Sequence, residues 1–236
     1  MNNLLRKWTG WLFISGAVLV NIPYTLLIMN FDYPDILREP AGEVLTRFHA
    51  GGVALICTWL AFAWVGLPLL FGIILLNKAI ENESPLMQTA KIAGIIGAVS
   101  QMVGLLRWVF VVPIIANGYT DPLASESTRQ AALIAFQVVH QYGGVVMGEH
   151  LGQAFTILWM VLVSMAMFKS NIFKPWLGWF GLAASAVYSL AQTELLATVI
   201  PTVKVVEIAG LAGSLLWLAW MVVLGIFLIR AGSSQI

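Results

Sequence analysis

Residues 137–153 read QVVHQYGGVVMGEHLGQ, and this stretch decides how the chain is organised. It begins a long apolar run, yet it carries His140, Glu149, His150 and Gln153. Ionisable and amide groups are costly in lipid, and within a membrane they normally face protein or a water-filled cavity. The stretch is therefore expected to be part of a transmembrane helix with a polar face, and it is the first place to look for a function.

The composition of the whole chain is that of a membrane protein. Of its 236 residues, 60% are hydrophobic and 10% are charged, and the mean hydropathy is +0.89. Soluble domains carry about 25% charged residues. Because a spanning helix needs about 20 residues, the chain has room for about six spans and for no separate soluble domain. We predict an all-α fold, a polytopic membrane bundle of six transmembrane helices that forms a single domain over residues 1–236.

Apolar runs separated by short polar segments predict the spans. They cover residues 8–29, 48–77, 87–116, 131–168, 175–200 and 205–229. As an α-helix the fourth run would be about 57 Å long, against a hydrocarbon core of about 30 Å. It must therefore project from the membrane on one side or break at Gly143-Gly144. Residues 30–47 are expected to form a polar loop with a short interfacial helix.

The positions of the charges predict the orientation. One side of the six-span layout collects the cations Arg6, Lys7, Lys78, Lys91, Lys169, Lys174 and Arg230. The other side collects the acids Asp32, Asp35, Glu39, Glu43, Asp121 and Glu126. Cytoplasmic loops of membrane proteins carry an excess of Lys and Arg. We therefore expect both termini to be cytoplasmic.

Several function classes have no signal in the sequence. There is no basic patch or run, so nucleic acid is not an expected partner. Cys57 is the only cysteine, which excludes an internal disulfide and a thiolate metal cluster. The sequence contains no H-E-x-x-H, Walker-type or Ser-His-Asp signature. It assigns no cofactor, and it does not decide whether the protein is an enzyme.

Counting residues along each predicted helix places polar groups from several helices in one layer near the outer face. The predicted ligand-binding residues of this layer are Arg107, Glu149, His150, Gln153, Gln192, His49, Glu194, Glu207 and His140. Arg107 is the residue least suited to face lipid, and its expected partner is Glu149, Glu194 or Glu207. A purely structural interpretation stays open, because interface residues reach water by snorkelling and a salt bridge can simply fix helix packing.

Glycines on the same helix predict a close helix contact. Gly144, Gly148 and Gly152 form a doubled G-x-x-x-G pattern, which lets a neighbouring backbone approach. We expect this ridge to serve packing rather than chemistry.

Three function classes fit the polar layer. The favoured one is a polar pocket that opens toward the periplasmic side and binds a small amphiphilic or lipid-like ligand, with Arg107 supplying the charge. The second is a haem- or metal-dependent membrane enzyme, for which His49 and His150 are the only histidine pair suited to a haem. The third is a non-enzymatic membrane accessory or sensor protein. Its partners would be other membrane proteins, beside the lipid bilayer itself.

Three stretches carry a resemblance to a known family. They are residues 31–38 (FDYPDILR), residues 106–113 (LRWVFVVP), and residues 140–144 (HQYGG) with 148–153 (GEHLGQ). Over essentially its whole length the chain resembles a bacterial family of integral membrane proteins, the domain of unknown function DUF4386. The resemblance implies a six-helix protein of the bacterial inner membrane. It implies no activity, cofactor or catalytic residue.

Overall fold

The computed structural model describes residues 2–233, and within this range it contains helices and no β-strand. The α-helices are α1 (Asn2–Leu19), α2 (Asn21–Phe31), α3 (Ala41–Trp64), α4 (Leu67–Ala79), α5 (Pro85–Phe110), α6 (Val112–Thr120), α7 (Glu126–Val139), α8 (Gly152–Met167), α9 (Pro175–Leu190), α10 (Gln192–Ala197) and α11 (Ile208–Ala231). A short 3₁₀ helix, Asp35–Arg38, lies between α2 and α3, and a π-helical segment, His140–Leu151, joins α7 to α8.

Consecutive helices without a connecting loop make up six helical segments. They are α1–α2, α3–α4, α5–α6, α7 with the π-helical segment and α8, α9–α10, and α11. Among the described residues, five segments are long and apolar enough to cross a membrane. The segment of α9 and α10 is interrupted at Ala191, which shortens its regular part. The prediction of an all-α polytopic membrane protein with six transmembrane helices is confirmed.

Proline and glycine account for the irregular points in the second and third segments. Pro68 and Pro113 each occupy the second position of a new helix, α4 and α6. Proline lacks a backbone N–H and its ring clashes with the preceding turn, so a helix begins at it more readily than it continues through it. Gly52 interrupts α3 with a φ of 56°, a left-handed conformation that favours glycine.

One boundary of the predicted layout is wrong, and one of the two alternatives predicted for the fourth segment is excluded. Residues 41–47 are helical rather than part of a loop, because α3 begins at Ala41 directly after Pro40 and its polar first turns include an ion pair of 3.2 Å between Glu43 and Arg47. The fourth segment does not break at Gly143-Gly144. It continues through both glycines as the π-helical segment, within an uninterrupted helical run over Glu126–Met167.

Internal contacts divide the described chain into two compact units. We call residues 2–18, 66–99 and 150–233 the large unit, and residues 19–65 and 100–149 the aromatic unit. The assignment of residues 1–236 to a single domain stays a prediction.

The core of the large unit forms where α9 packs against α8 and α11. Trp159 and Trp220 are buried in it with ring centroids 5.5 Å apart, and Phe13 stacks on Trp159 at 5.9 Å. The indole N–H of Trp220 donates a hydrogen bond of 3.1 Å to the carbonyl of Leu177. This core is therefore apolar, and its central indole has an acceptor.

The core of the aromatic unit forms where α3 packs against α2 and α6, and α6 against α7. Trp59 and Trp108 are fully buried and stack with ring centroids 4.9 Å apart and an angle of 11° between the planes. Phe31 meets Trp108 edge-on at 5.5 Å, and Tyr33 meets Trp59 edge-on at 5.3 Å. Such pairs contribute about 0.5–1.5 kcal/mol each beyond the area they bury. Tyr33 lies just before the 3₁₀ helix, and its contact with Trp59 therefore packs this part of the chain against α3.

Candidate functional site

Arg107 lies in the last turn of α5, inside the aromatic unit. Its exposed fraction is 8%, and its Cζ atom is 5.1 Å from the centroid of the Trp108 ring. Its Nη1 group donates a hydrogen bond to the carbonyl of Gly104, one turn earlier. A cation over an indole ring is attracted by the π-electrons, and more strongly when both are desolvated. The expectation that Arg107 avoids lipid agrees with this burial.

Glycines make the position of Arg107 possible. A Cβ atom added to Gly104 would overlap the Cα atom of Gly148, so α5 and the π-helical segment are in backbone contact there. A Cβ atom added to Gly144 would lie 2.6 Å from Nη2 and 2.8 Å from Cζ of Arg107. The guanidinium therefore packs directly on the backbone of the π-helical segment. The predicted close approach of a neighbouring helix is confirmed at Gly148.

Glu149 does not pair with Arg107. Its carboxylate forms an ion pair of 3.1 Å with Arg38, which belongs to the 3₁₀ helix between α2 and α3. The side chain of Arg38 is 34% exposed and that of Glu149 is 22% exposed. Within residues 2–233 Arg107 has no carboxylate at ion-pair distance, although Glu149 and Arg38 are near enough to act on it electrostatically. The expected direct partnership is therefore replaced by a three-residue cluster, which we call the Arg–Glu–Arg cluster (Arg38, Glu149 and Arg107).

Several buried donors next to this cluster have no acceptor among the described residues. They are the indole N–H groups of Trp59 and Trp108 and the Nε–H of Arg107. Trp108 contacts both of the other side chains, since it stacks on Trp59 and its ring lies 5.1 Å from the Arg107 Cζ atom. A buried donor without an acceptor costs about 1–3 kcal/mol, and more when it is charged. The desolvation of these three donors is therefore not compensated by hydrogen bonds within the described chain.

His140 contacts two aromatic rings of the same core. Its imidazole stacks on Phe136 at 5.4 Å and approaches Trp108 at 6.3 Å. Both ring nitrogens are buried, and neither makes a hydrogen bond of good geometry within the described range, although the carbonyl of Leu37 is close. His140 thus adds a further polar group to the aromatic core.

His49 is exposed on α3, and its Nδ1 atom is 3.0 Å from the side-chain oxygen of Asn117. This contact is a surface hydrogen bond within the aromatic unit. It does not bring His49 to the Arg–Glu–Arg cluster.

A cavity of about 310 Å³ lies beside the segment between α2 and α3. It is lined by Ile28, Asp32, Tyr33, Asp35, Ile36, Glu39 and Arg47. Arg107, Glu149, His49 and His140 are not among its lining residues. Tyr33 belongs both to this cavity and to the aromatic core, through its contact with Trp59.

Three of the predicted residues form a hydrogen-bonded chain in the large unit. The Nδ1 atom of His150 is 2.5 Å from Oε1 of Gln192, and Nε2 of Gln192 donates to Oε1 of Gln153 at 2.8 Å. Since Oε1 of Gln192 accepts, Nδ1 of His150 is the protonated nitrogen and Nε2 is the acceptor of the neutral ring. The break between α9 and α10 at Ala191 places Gln192 where its amide reaches both partners.

The two predicted carboxylates of the large unit lie near the start of α11. Glu207 is exposed and directly precedes this helix. Glu194 belongs to α10, and its Oε2 atom is about 4.0 Å from the Cβ position of Gly210. In residues 2–233 no group of three or more His, Cys, Asp or Glu side chains is arranged to hold a metal ion.

Comparison with known proteins identifies the family. The model of a domain of unknown function, DUF4386, matches residues 8–225. The chain belongs to the DUF4386 family. No curated protein and no solved structure matches it significantly.

The residues that sequence reasoning missed are Arg38, Tyr33 and Trp108. All three lie within the stretches that resemble DUF4386 proteins, residues 31–38 and 106–113. In the structure these stretches meet in the aromatic unit, where Phe31 contacts Trp108, and Arg38 pairs with Glu149 of the third stretch. The motif stretches were the available signal, and the short helix predicted within residues 30–47 was not connected with the polar layer.

Proposed function

We propose that this DUF4386 protein binds a small amphiphilic anion in an intramembrane pocket of the aromatic unit that opens toward the periplasmic side. The anionic head group binds Arg107, and Glu149 with Arg38 sets the charge around it. His49 and His140 remain predicted ligand contacts in the same unit. His150, Gln153, Gln192, Glu194 and Glu207 remain predicted contacts in the large unit.

One observation carries the proposal, the burial of the Arg107 guanidinium without an ion-pair partner in residues 2–233. A cation in a spanning helix is costly unless it is compensated, by about 3 kcal/mol at the bilayer centre and by less toward the interface. The carbonyl of Gly104 and the ring of Trp108 compensate only part of this cost. A bound anion would compensate the remaining cost. Its charge-assisted hydrogen bonds would be strong, because the guanidinium is already removed from water.

The surroundings of Arg107 support an amphiphile rather than a small inorganic ion. Trp108 contacts the cation, and Trp59, Phe31 and Phe136 pack on Trp108, so apolar rings lie near the cation. A ligand with an anionic head and an apolar body would contact both. This is the usual design of small-molecule sites, in which an apolar lining is combined with a few polar groups.

We further propose that the protein resides in the bacterial inner membrane with both termini in the cytoplasm. The supporting observation is the one-sided distribution of Lys and Arg along the chain. In the large unit one of these cations, Arg6, pairs with Glu81 at 3.0 Å, so the first helix and the α4–α5 turn share that side. Reporter fusions after residue 122 and at the C-terminus test the orientation. Activity of a periplasmic reporter only at the first position is expected, and the reverse pattern would contradict it.

Native mass spectrometry of protein purified in a mild nonionic detergent tests the function. We expect the wild-type protein to retain an anionic amphiphile in about equimolar amount. Arg107→Ala with Glu149→Gln should lose it. Arg129→Ala is the matched control, because Arg129 lies in the same unit, does not line the cavity and donates to the carbonyl of Asp121. Equal retention in all variants would contradict the proposal.

The same preparation tests the other two classes. A stoichiometric metal or a Soret band would favour the haem- or metal-dependent enzyme. Stable co-purification of another membrane protein would favour the accessory or sensor role.

A further inference from the structure

The guanidinium of Arg107 presents one particular edge for binding. Its Nη1 group is occupied by the carbonyl of Gly104. Its Nε–H is buried without an acceptor, and within the described chain Nη2 makes no hydrogen bond. Nε and Nη2 lie on the same edge of the guanidinium plane. This edge carries two parallel N–H donors at the spacing of the two oxygens of a carboxylate.

The orientation of this edge is fixed by the residues around it. The Trp108 ring and the backbone at Gly144 both pack on the guanidinium, and Gly104 binds its far end. A pre-organised donor pair loses little conformational freedom on binding. It therefore favours ligands whose acceptors match its planar geometry over ligands that match only its charge.

The charge near Arg107 points to a monoanion. The charged side chains that act on it are Arg38 and Glu149, so the three formal charges sum to +1, as +1 +1 −1. A carboxylate with charge −1 would neutralise this sum. A phosphate monoester carries about −1.5 to −2 at neutral pH and would leave excess negative charge in a desolvated site.

The neighbouring ring of Trp108 carries a further unused donor. The indole N–H of Trp108 is buried without an acceptor, and its ring is in contact with the guanidinium. A carboxylate whose two oxygens bind Nε and Nη2 keeps further lone pairs, which can accept from an N–H group.

We infer that the head group bound by Arg107 is a carboxylate, held by the Nε–Nη2 edge, and that the ligand is a long-chain carboxylate. This inference rests on the proposed function and names its ligand class. Arg107 is the binding residue, Glu149 sets the net charge, and Gly144 is a positioning residue.

Competitive binding of head-group analogues tests the inference. The protein is placed in nanodiscs of phosphatidylcholine, at a pH where the long-chain acid is ionised, and is titrated with tetradecanoate, tetradecyl sulfonate, tetradecyl phosphate, tetradecanol and butanoate. We expect tetradecanoate to bind tightest. Sulfonate, which has the same charge but a pyramidal head, should bind several-fold more weakly, and phosphate at least about tenfold more weakly. Butanoate should bind weakest among the carboxylates, which separates a lipid source from a soluble acid.

Three variants separate geometry, charge and packing. Arg107→Lys keeps the charge but loses the planar fork, so it should abolish the preference for carboxylate over sulfonate. Glu149→Gln raises the local sum to +2, so it should shift the preference toward phosphate. Gly144→Ala should weaken tetradecanoate binding at least about tenfold. Gly118→Ala should not, because a Cβ atom at Gly118 meets nothing within 4 Å.

The outcomes distinguish the inference from the function on which it rests. Phosphate or sulfonate binding as tightly as tetradecanoate, with loss in Arg107→Ala, would overturn the carboxylate and leave the anion-binding function in place. If no anionic amphiphile binds better than tetradecanol in an Arg107-dependent way, the proposed function itself fails.

Discussion

The cores of the two units differ in whether the indole N–H of a buried tryptophan has a hydrogen-bond acceptor. Trp220 in the large unit and Trp108 in the aromatic unit are both fully buried. The indole of Trp220 donates to the carbonyl of Leu177, whereas the indole of Trp108 has no acceptor in the described structure. Trp220 is therefore a packing residue with its polar atom satisfied. Trp108 leaves a donor unused in contact with a buried cation.

The large unit also contains buried polar atoms without a hydrogen bond, on Asn77, Ser164 and Trp217, but these groups are neutral. In the aromatic unit three unused donors lie on side chains that contact through Trp108, namely Trp59, Trp108 and the charged Arg107. A second charged donor of this unit, the Nε–H of Arg129, is also buried without an acceptor. Natural proteins depart from full hydrogen-bond satisfaction mainly at functional sites. Among the described residues, the two units therefore differ in that only the aromatic unit leaves charged donors buried without an acceptor.

Among the variants that test this difference, Gly104→Ala should change the stability of the protein most. Its Cβ atom would overlap the backbone of Gly148, so α5 and the π-helical segment must separate. We expect a loss of about 3 kcal/mol in the free energy of unfolding and displacement of Arg107. Thermal unfolding in detergent measures it, with Gly118→Ala as the control, which should be neutral or slightly stabilising. A neutral Gly104→Ala would show that the backbone contact does not hold the cluster.

The second test replaces the two tryptophans by phenylalanine. Trp220→Phe loses volume and a hydrogen bond, and should cost about 2–3 kcal/mol of stability. Trp108→Phe loses similar volume but removes a donor that has no acceptor, and should cost only about 1 kcal/mol. Chemical denaturation of both variants provides the comparison. Equal losses would mean that the two indoles are in equivalent states.

Removing the buried cation should have a smaller effect of opposite sign. Arg107→Met replaces a charge without an ion-pair partner by a flexible apolar side chain, and should stabilise the delipidated protein by about 1–2 kcal/mol. Added tetradecanoate should raise the melting temperature of the wild type but not of this variant. If Arg107→Met instead destabilises the protein, Arg107 is mainly a structural residue.

The smallest effect is expected at the ion pair between Arg38 and Glu149. Both side chains are partly exposed, so a double-mutant cycle with Arg38→Ala and Glu149→Gln should give a coupling energy of only about 0.5–1 kcal/mol. Unfolding of the four proteins in the same detergent measures it. A coupling above about 3 kcal/mol would indicate a buried structural pair rather than a group that tunes charge.

Hydropathy and glycine spacing predicted the fold well, because both depend on residues near in sequence. Counting apolar residues located the six helical segments, and the G-x-x-x-G pattern located the close approach at Gly148. The cost of a cation in lipid correctly predicted that Arg107 is buried. These inferences need no knowledge of which helices are neighbours.

The partner of Glu149 could not be predicted in this way. Arg38 is 111 residues away in sequence, in a segment whose polarity suggested a loop. The face assignment for residues 140–151 used 100° per residue, but a π-helix has more residues per turn, so each residue turns through a smaller angle. Small errors in rotation accumulate over such a segment and change which side chains meet.

The most direct test of the account is the distance between Arg107 and a bound head group, measured by solid-state NMR. The protein would carry ¹⁵N-arginine and be reconstituted with tetradecanoate labelled with ¹³C at the carboxyl carbon, with Arg107→Lys used to assign the signal. If Arg107 binds the carboxylate, dipolar coupling should place this carbon within about 4 Å of the Arg107 Nε atom. A ligand that binds with no coupling to Arg107, or no bound ligand at all, would contradict it.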